Sequence, residues 1–230
     1  MKLLNIICES MLMSDLELQE ISGFKLIPFD TSGANFSAQS LWRMNCDLPQ
    51  PPIPQKLWEG ESVFKDIPNP LMLKHRTRLI SNFWPHRFDP TLFDPDCSDR
   101  INKQVGIDPD NHQWTTFLSY LCGPMPHDWV IYWPTVGHCS YRLGPDNNGI
   151  PENIRRTTTY WLDMIRNQIL PRVPKGTTIL IHTDHGSARK NQTTNEYYNQ
   201  GFAFIPNNME IENLNWASFR ELVDKILCQQ

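Results

Sequence analysis

Polar side chains that can bind metals follow several apolar runs of this sequence. Glu9 follows LLNIIC, Asp30, Thr31 and Ser32 follow FKLIPF, His138 lies just past WVIYW, and Asp184 and His185 follow TTILIHT. Carboxylate and imidazole ligands around an open coordination position suit Zn²⁺ or Mn²⁺. A hydroxyl beside such an ion loses its proton more readily and becomes a nucleophile. These residue types therefore predict one divalent transition metal next to a nucleophilic hydroxyl.

Three adjacent side chains, Asp30, Thr31 and Ser32, are candidates for the nucleophile. All three are also favourable helix N-cap types, and the segment 34–44 that follows them is predicted to be helical. Backbone N–H groups at the start of that helix would hold an anionic oxygen. A capping role is compatible with nucleophilic chemistry, so the residue types alone leave all three candidates open.

Alternating strands and helices are expected to position these side chains. Apolar runs predict strands over 3–8, 24–29, 129–133, 177–183 and 202–205, and apolar spacing predicts helices over 12–21, 34–44, 115–121, 152–170 and 216–227. This alternation indicates an α/β fold, with a central, mostly parallel sheet flanked by helices on both faces. Because ligands bind beyond the carboxyl ends of parallel strands, the polar strand ends would gather at one edge.

Composition excludes several classes of protein. The chain has 230 residues and is expected to form a single domain, 1–230, with a long loop region over about 47–112. A net charge of −4 does not favour binding to nucleic acid, and the apolar runs are too short to span a membrane. The six cysteines are scattered singly, which indicates reduced thiols and predicts a cytoplasmic location. Nothing in the sequence indicates the oligomeric state.

His182 also lies in one of the predicted strands, two residues before Asp184. Side chains two residues apart in a strand point to the same face. We therefore expect His182 to support the site or to lie in the core, and not to be a metal ligand.

Four segments of the chain resemble motifs of the alkaline phosphatase superfamily. TILIHTDHGS resembles its metal-binding segment, and IICES resembles the strand ending in Glu-Ser of the Glu-type, sulfatase-like branch that includes phosphoethanolamine transferases and lipoteichoic acid synthases. FDTSGANFS resembles the nucleophile segment of that branch, where a threonine opens a helix. WPTVGHCSYRLGP resembles segments of the nucleotide pyrophosphatases and of the phosphoethanolamine transferases. The four segments keep the family's order, so the resemblance implies an alkaline phosphatase-like fold and phosphoryl-group chemistry.

The resemblance also implies roles for individual residues. Glu9, Asp184 and His185 would bind one metal, Zn or Mn, together with Thr31 as the metal-activated nucleophile that forms a phospho-threonine. His138 would contact the leaving group or the transferred phosphoryl group and act as general acid. Asn82, in RLISNFWPHRFDP, resembles the oxyanion-binding asparagine of nucleotide pyrophosphatases, and Ser32 is a second candidate for contact with the substrate.

The sequence also departs from the family's patterns. Pro134 stands where the two-metal branches have an aspartate, and no histidine follows His185, so a complete second metal site is not expected. The Cys-x-Pro-x-Arg motif of sulfatases is absent. The expected function is metal-dependent hydrolysis or transfer of a phosphoryl group, of phosphodiesterase or phosphotransferase type, on a small phosphorylated substrate. The alternatives are a two-metal phosphomonoesterase or mutase, and a non-catalytic member of the fold that binds a ligand.

Overall fold

The computed structural model describes residues 1–8, 19–32, 71–74, 117–119, 121–123, 127–133, 159–185 and 200–228, and these ranges centre on one β-sheet. Its strands are β1 (Leu3–Cys8), β2 (Phe24–Asp30), β3 (Leu71–Lys74), β4 (Trp129–Trp133), β5 (Thr178–Thr183), β6 (Gln200–Pro206) and β7 (Leu214–Asn215). Within these ranges, two longer helical segments accompany the strands. The segment α1 covers 159–172 and includes a π-helical turn at Ile165–Ile169 and a 3₁₀ turn at Leu170–Arg172, and α2 is the helix Trp216–Cys228.

The sheet places β1 in its interior. Its strand order is β3-β4-β1-β5-β6-β2-β7, and β1 pairs in parallel with both β4 and β5. At the carboxyl end of β1, Cys8 pairs with Thr183 of β5. All six residues of β1 are buried, as expected for a central strand whose sequence is a continuous apolar run with one asparagine.

The α/β class is confirmed, but the sheet is mixed and not mostly parallel. Strand β6 runs antiparallel to both of its neighbours, β5 and β2. The apolar run FAFI predicts a buried strand, but burial on both faces carries no information about strand direction. Because two reversals restore the original direction, β2 runs the same way as β1 and β5. The carboxyl end of β2 therefore lies at the same edge of the sheet as theirs.

Helices cover both faces of the sheet, as predicted. On one face, side chains of β1, β4 and β6 pack with Phe219, Val223 and other apolar residues of α2. On the other face, a second apolar cluster includes Trp161 and Ile165 of α1 together with Phe117. Each fully buried Leu, Ile or Phe side chain contributes roughly 1.5–3 kcal/mol. These two apolar layers hold the strand ends in place.

Reciprocal hydrogen bonds fix the start of α2. The backbone N–H of Ser218 donates to Oδ1 of Asn215, and the backbone N–H of Asn215 donates to Oγ of Ser218, each over 2.9 Å. This capping box satisfies two donors that the first turn of a helix leaves free. It also fixes the helix directly after β7, so that Phe219 is directed towards the sheet.

Most predicted elements are present where the structure describes them. The predicted strands match β1, β2, β4, β5 and β6, and the helices over 152–170 and 216–227 match α1 and α2. Helical backbone at 117–119 and 121–122 agrees with the short helix over 115–121, whereas residues 19–21 of the helix predicted over 12–21 are not helical. The helix over 34–44 lies outside the described residues. The short strands β3 and β7 were not predicted.

No helix in the described ranges has both the length and the apolar character needed to cross a membrane.

Candidate active site

The carboxyl edge of the sheet brings together residues from the ends of three strands. Thr31 directly follows β2, and Asp184 and His185 directly follow β5. The last residue of β1, Cys8, lies beside the end of β5 through its pairing with Thr183. The ends of β2 and β5 therefore lie at the same edge of the sheet, with β6 between the two strands.

Asp184 and His185 form a buried acid–imidazole pair. Nε2 of His185 lies 3.1 Å from Oδ2 of Asp184, and the two side chains are 2% and 1% exposed. The hydroxyl of Thr183 donates a 2.6 Å hydrogen bond to the backbone carbonyl of His185. A buried carboxylate is costly unless a partner or a metal compensates its charge. The turn after β5 thus holds a carboxylate and an imidazole, two side-chain types that can bind metals, in contact with each other.

Thr31 and Ser32 occupy contrasting environments. Thr31 is fully buried, and its Oγ1 has no hydrogen-bond partner among the described residues. Ser32 is exposed, and both its backbone N–H and its Oγ donate to Oδ1 of Asp30, over 2.9 Å and 2.5 Å. An unpaired buried hydroxyl costs about 1–3 kcal/mol, so the Thr31 oxygen requires an explanation.

Gly201, on the antiparallel strand β6, lies close to both Thr31 and Thr183. Gly201 of β6 pairs with Phe29 of β2. A Cβ placed on Gly201 would overlap Cγ2 of Thr183 and would lie 3.1 Å from Cγ2 of Thr31. The methyl group of Thr183 therefore occupies the position that a Cβ on Gly201 would take, and the methyl group of Thr31 lies close to the same position.

His182 lies in the core beneath α2, which is one of the two positions expected for it. Its ring packs against the rings of Phe29 and Phe219, with centroid distances of 5.3 Å and 4.8 Å. Burial lowers the pKa of His182 to about 4, although its 2.7 Å hydrogen bond to the carbonyl of Thr183 opposes that change. Because a carbonyl only accepts, Nδ1 carries the proton of the neutral ring.

The three donors at this edge fit a divalent metal. A carboxylate, an imidazole and an orphaned hydroxyl are ligands that Zn²⁺ and Mn²⁺ accept. Among the residues that the structure describes, no group of three His, Cys, Asp or Glu side chains is arranged to hold a metal. Asp184 and His185 supply two donors of this kind. The other predicted ligand, Glu9, lies outside the described residues, as do His138 and Asn82.

Sequence reasoning missed two residues of this edge, Thr183 and Gly201. Thr183 was included only as the last residue of a predicted strand. Gly201 precedes FAFI, and an isolated glycine at a strand often marks a close approach of another chain segment. That signal was available, but it does not say which segment approaches.

Cys8 provides a labelling test of the packing at this edge. Burial, with a contribution from the Asp184 carboxylate, raises the pKa of the Cys8 thiol to about 12. Since the thiolate is the reactive form, iodoacetamide at pH 8 should modify the exposed Cys122 and leave Cys8 unmodified in the folded protein. Peptide mass mapping with and without urea measures both sites. Equal labelling rates for the two cysteines before unfolding would contradict this packing.

Comparisons with known proteins identify the fold. No protein-family model and no curated protein matches the sequence. A solved structure of an alkaline phosphatase superfamily protein from Vibrio parahaemolyticus matches 98% of this chain with a TM-score of 0.54 and 9% identity. The lipoteichoic acid synthase LtaP from Listeria monocytogenes matches 99% of it, with a TM-score of 0.55 and 10% identity.

The chain therefore has the fold of the alkaline phosphatase superfamily, as its sequence motifs implied. It spans 65% of the Vibrio protein's chain and 72% of the LtaP chain. At this level of identity the likeness concerns the fold alone, and the chemistry has to be argued from the residues at the carboxyl edge.

Proposed function

We propose that this protein is a metal-dependent phosphoryl-group hydrolase or transferase that acts through Thr31. The observation that carries the proposal is the buried hydroxyl of Thr31, which has no hydrogen-bond partner among the described residues and lies across Gly201 from the turn that holds Asp184 and His185. A divalent cation accounts for that hydroxyl and for the buried carboxylate together. One of the two solved structures named above belongs to an alkaline phosphatase superfamily protein, and that likeness in fold supports phosphoryl-group chemistry by analogy.

The proposed reaction has two displacements at phosphorus. Oγ1 of Thr31 attacks phosphorus, an O–P bond forms, and the bond from phosphorus to the leaving oxygen breaks. The Thr31 hydroxyl loses its proton to solvent as it attacks, and the leaving oxygen takes up a proton from His138. The product is a phosphate ester of Thr31, which keeps its second ester group when the substrate is a diester. Water or an acceptor alcohol then attacks that phosphorus and releases Thr31 again. The choice between water and alcohol separates the hydrolase from the transferase.

Asp184 and His185 would hold the metal, with Glu9 as the third protein ligand. When bound, the metal supplies positive charge that lowers the pKa of a hydroxyl and stabilises negative charge developing on the phosphoryl oxygens. Ser32 engages Asp30 and is exposed, which supports Thr31 over Ser32 as nucleophile. Asn82 remains a proposed contact to the substrate. Substituted phosphates of the diester type are the proposed substrates, and a cytoplasmic location remains a prediction.

Metal content tests the proposal directly. The protein, incubated with Zn²⁺ or Mn²⁺ and desalted, should retain a stoichiometric metal by inductively coupled plasma mass spectrometry. Asp184→Asn keeps the shape of the side chain, removes its charge and should abolish that retention. Glu221→Ala removes an acidic side chain from the exposed face of α2 and should retain the metal.

The possible outcomes separate the candidate functions. Metal lost only in Asp184→Asn, together with turnover of an aryl phosphodiester by the parent protein, supports the proposed enzyme. Metal without turnover of any phosphate ester favours a non-catalytic binding protein. A parent protein that retains no metal contradicts the proposal. Circular dichroism spectra of each variant show whether the fold is intact.

A further inference from the structure

We propose that Gly201 and Thr183 form a positioning pair that sets the distance between Thr31 and the Asp184–His185 turn. This inference rests on the proposed function, and it concerns two residues that make no contact with the substrate in that proposal. Gly201 has no side chain, and the methyl group of Thr183 occupies the position that a Cβ at residue 201 would take.

The glycine is required for space and not for backbone conformation. Among the described glycines, those with positive φ are Gly23 and Gly176, both at φ 85°, and Gly201 is not one of them. A Cβ on Gly201 would overlap Cγ2 of Thr183 and crowd Cγ2 of Thr31 at 3.1 Å. The carbonyl oxygen of Phe29 lies 3.5 Å from the same position, which closes the third side. An alanine at position 201 therefore has to displace one of the two threonines.

Thr183 connects that space to the metal-binding turn. Its methyl group lies against Gly201, while its hydroxyl donates to the carbonyl of His185 over 2.6 Å. Both ends of the side chain are therefore fixed, and a movement of Thr183 moves His185 with it. Asp184 lies between the two residues joined by this hydrogen bond. The position of β6 thus determines where the turn lies relative to Thr31.

Gly201→Ala is expected to lower kcat for an aryl phosphodiester such as bis(p-nitrophenyl) phosphate about tenfold to a hundredfold, with KM changed less than threefold. Displacements of about 1 Å in the reacting groups have effects of this size. Ala203→Gly is the matched control, because it changes one methyl group on the same strand, within the core. The control should lower the melting temperature and leave kcat within about twofold of the parent value.

A second substitution tests the contact itself. Thr183→Ser removes Cγ2, which is the atom in conflict with a Cβ at position 201, and keeps the hydroxyl that binds the His185 carbonyl. The double variant Gly201→Ala with Thr183→Ser should therefore recover kcat to within about threefold of Thr183→Ser alone. A loss that the serine does not rescue, or a Gly201→Ala variant with full kcat, would overturn the inference.

Metal affinity gives a readout that does not depend on turnover. If Gly201→Ala moves the turn, its affinity for Zn²⁺ in a competition titration should fall about tenfold, and Thr183→Ser should restore it. Should Gly201→Ala fail to fold, Thr183→Val takes its place, since valine keeps the methyl contact and removes the hydrogen bond to His185. Unchanged Zn²⁺ affinity in the variant tested would overturn the positioning role.

The Zn²⁺ titration also distinguishes the proposed phosphoryl-group reaction from the proposed positioning pair. A parent protein that binds Zn²⁺ without turning over phosphodiesters would contradict the proposed reaction, while the rescue of affinity by Thr183→Ser would still support the positioning pair. A parent protein that neither binds Zn²⁺ nor turns over substrate would overturn both.

Discussion

Thr31→Val is expected to lower turnover of an aryl phosphodiester by about a thousandfold or more, because it removes the nucleophilic oxygen of the proposed reaction. In the metal-free protein, the same substitution should leave the melting temperature unchanged or raise it. The Thr31 side chain is fully buried and its hydroxyl has no hydrogen-bond partner among the described residues, and valine has nearly the same shape. Replacing an unpaired buried polar group by an apolar one of similar shape is neutral or stabilising.

The test is specific because Thr31→Val should lower turnover without lowering the melting temperature. An ordinary core threonine would show little effect on turnover, and a destabilising substitution would lower both quantities. Steady-state kinetics and thermal unfolding on the same preparation measure them. Thr31→Ser, which keeps the oxygen and loses only the methyl group, should retain turnover to within about a hundredfold of the parent.

Ser32→Ala is the matched control for the nucleophile. The Ser32 hydroxyl donates to Asp30 at the surface, so its removal should leave turnover within a few-fold of the parent protein. If Ser32→Ala abolished turnover while Thr31→Val did not, the assignment of the nucleophile would be wrong. Mass spectrometry of the acid-quenched reaction should locate the phosphoryl group on the peptide that contains Thr31.

Acid should destabilise the fold through His182, by up to roughly 3 kcal/mol between about pH 6.5 and pH 4. The pKa of His182 is lowered to about 4, chiefly by burial, from an ordinary value of 6.5. Between these two values the unfolded chain takes up a proton that the folded protein does not. The stabilisation is therefore complete above about pH 6.5 and is lost as the pH falls towards 4.

Urea unfolding at a series of pH values, with a chelator present to exclude metal release, measures this dependence. His182→Phe should have a flatter profile than the parent protein over that interval, since phenylalanine fits among the rings of Phe29, Trp216 and Phe219 and does not titrate. Parallel profiles for the parent and His182→Phe would show that His182 is not the residue responsible.

The sequence predicted the parts of the fold that local pattern determines. LLNIIC, WVIYW and TILIHT are apolar runs rich in β-branched or aromatic residues, and each forms a buried strand. The direction of β6 was not predictable from FAFI, because strand direction depends on connections and pairing and not on side-chain type. The two-residue strand β7 is too short to produce any periodic signal.

In the candidate site, too, local sequence pattern predicted some residues, while others depend on strand pairing. Asp184, His185 and the run Asp30–Ser32 were predicted from their positions after apolar runs, and the family resemblance then selected Thr31. The structure places Thr31, Asp184 and His185 at one edge of the sheet. Gly201 and Thr183 meet only through the register of β6 with β2 and β5, which joins segments far apart in the sequence. No local motif encodes such a register. Glu9, His138 and Asn82 stay predictions.

The position of β6 in the sheet also determines when the site can form during synthesis. Within the described residues, β2 joins the sheet only by pairing with β6 and β7, and both lie beyond residue 199. While the ribosome is still adding those residues, β1, β4 and β5 can already pair, but the strand that leads to Thr31 has no neighbour. The Thr31 hydroxyl and the acid–imidazole pair are therefore held at one edge of the sheet only after residues 200–215 have been added. A nascent chain that ends before residue 200 would present the turn at 184–185 without Thr31 fixed at the same edge.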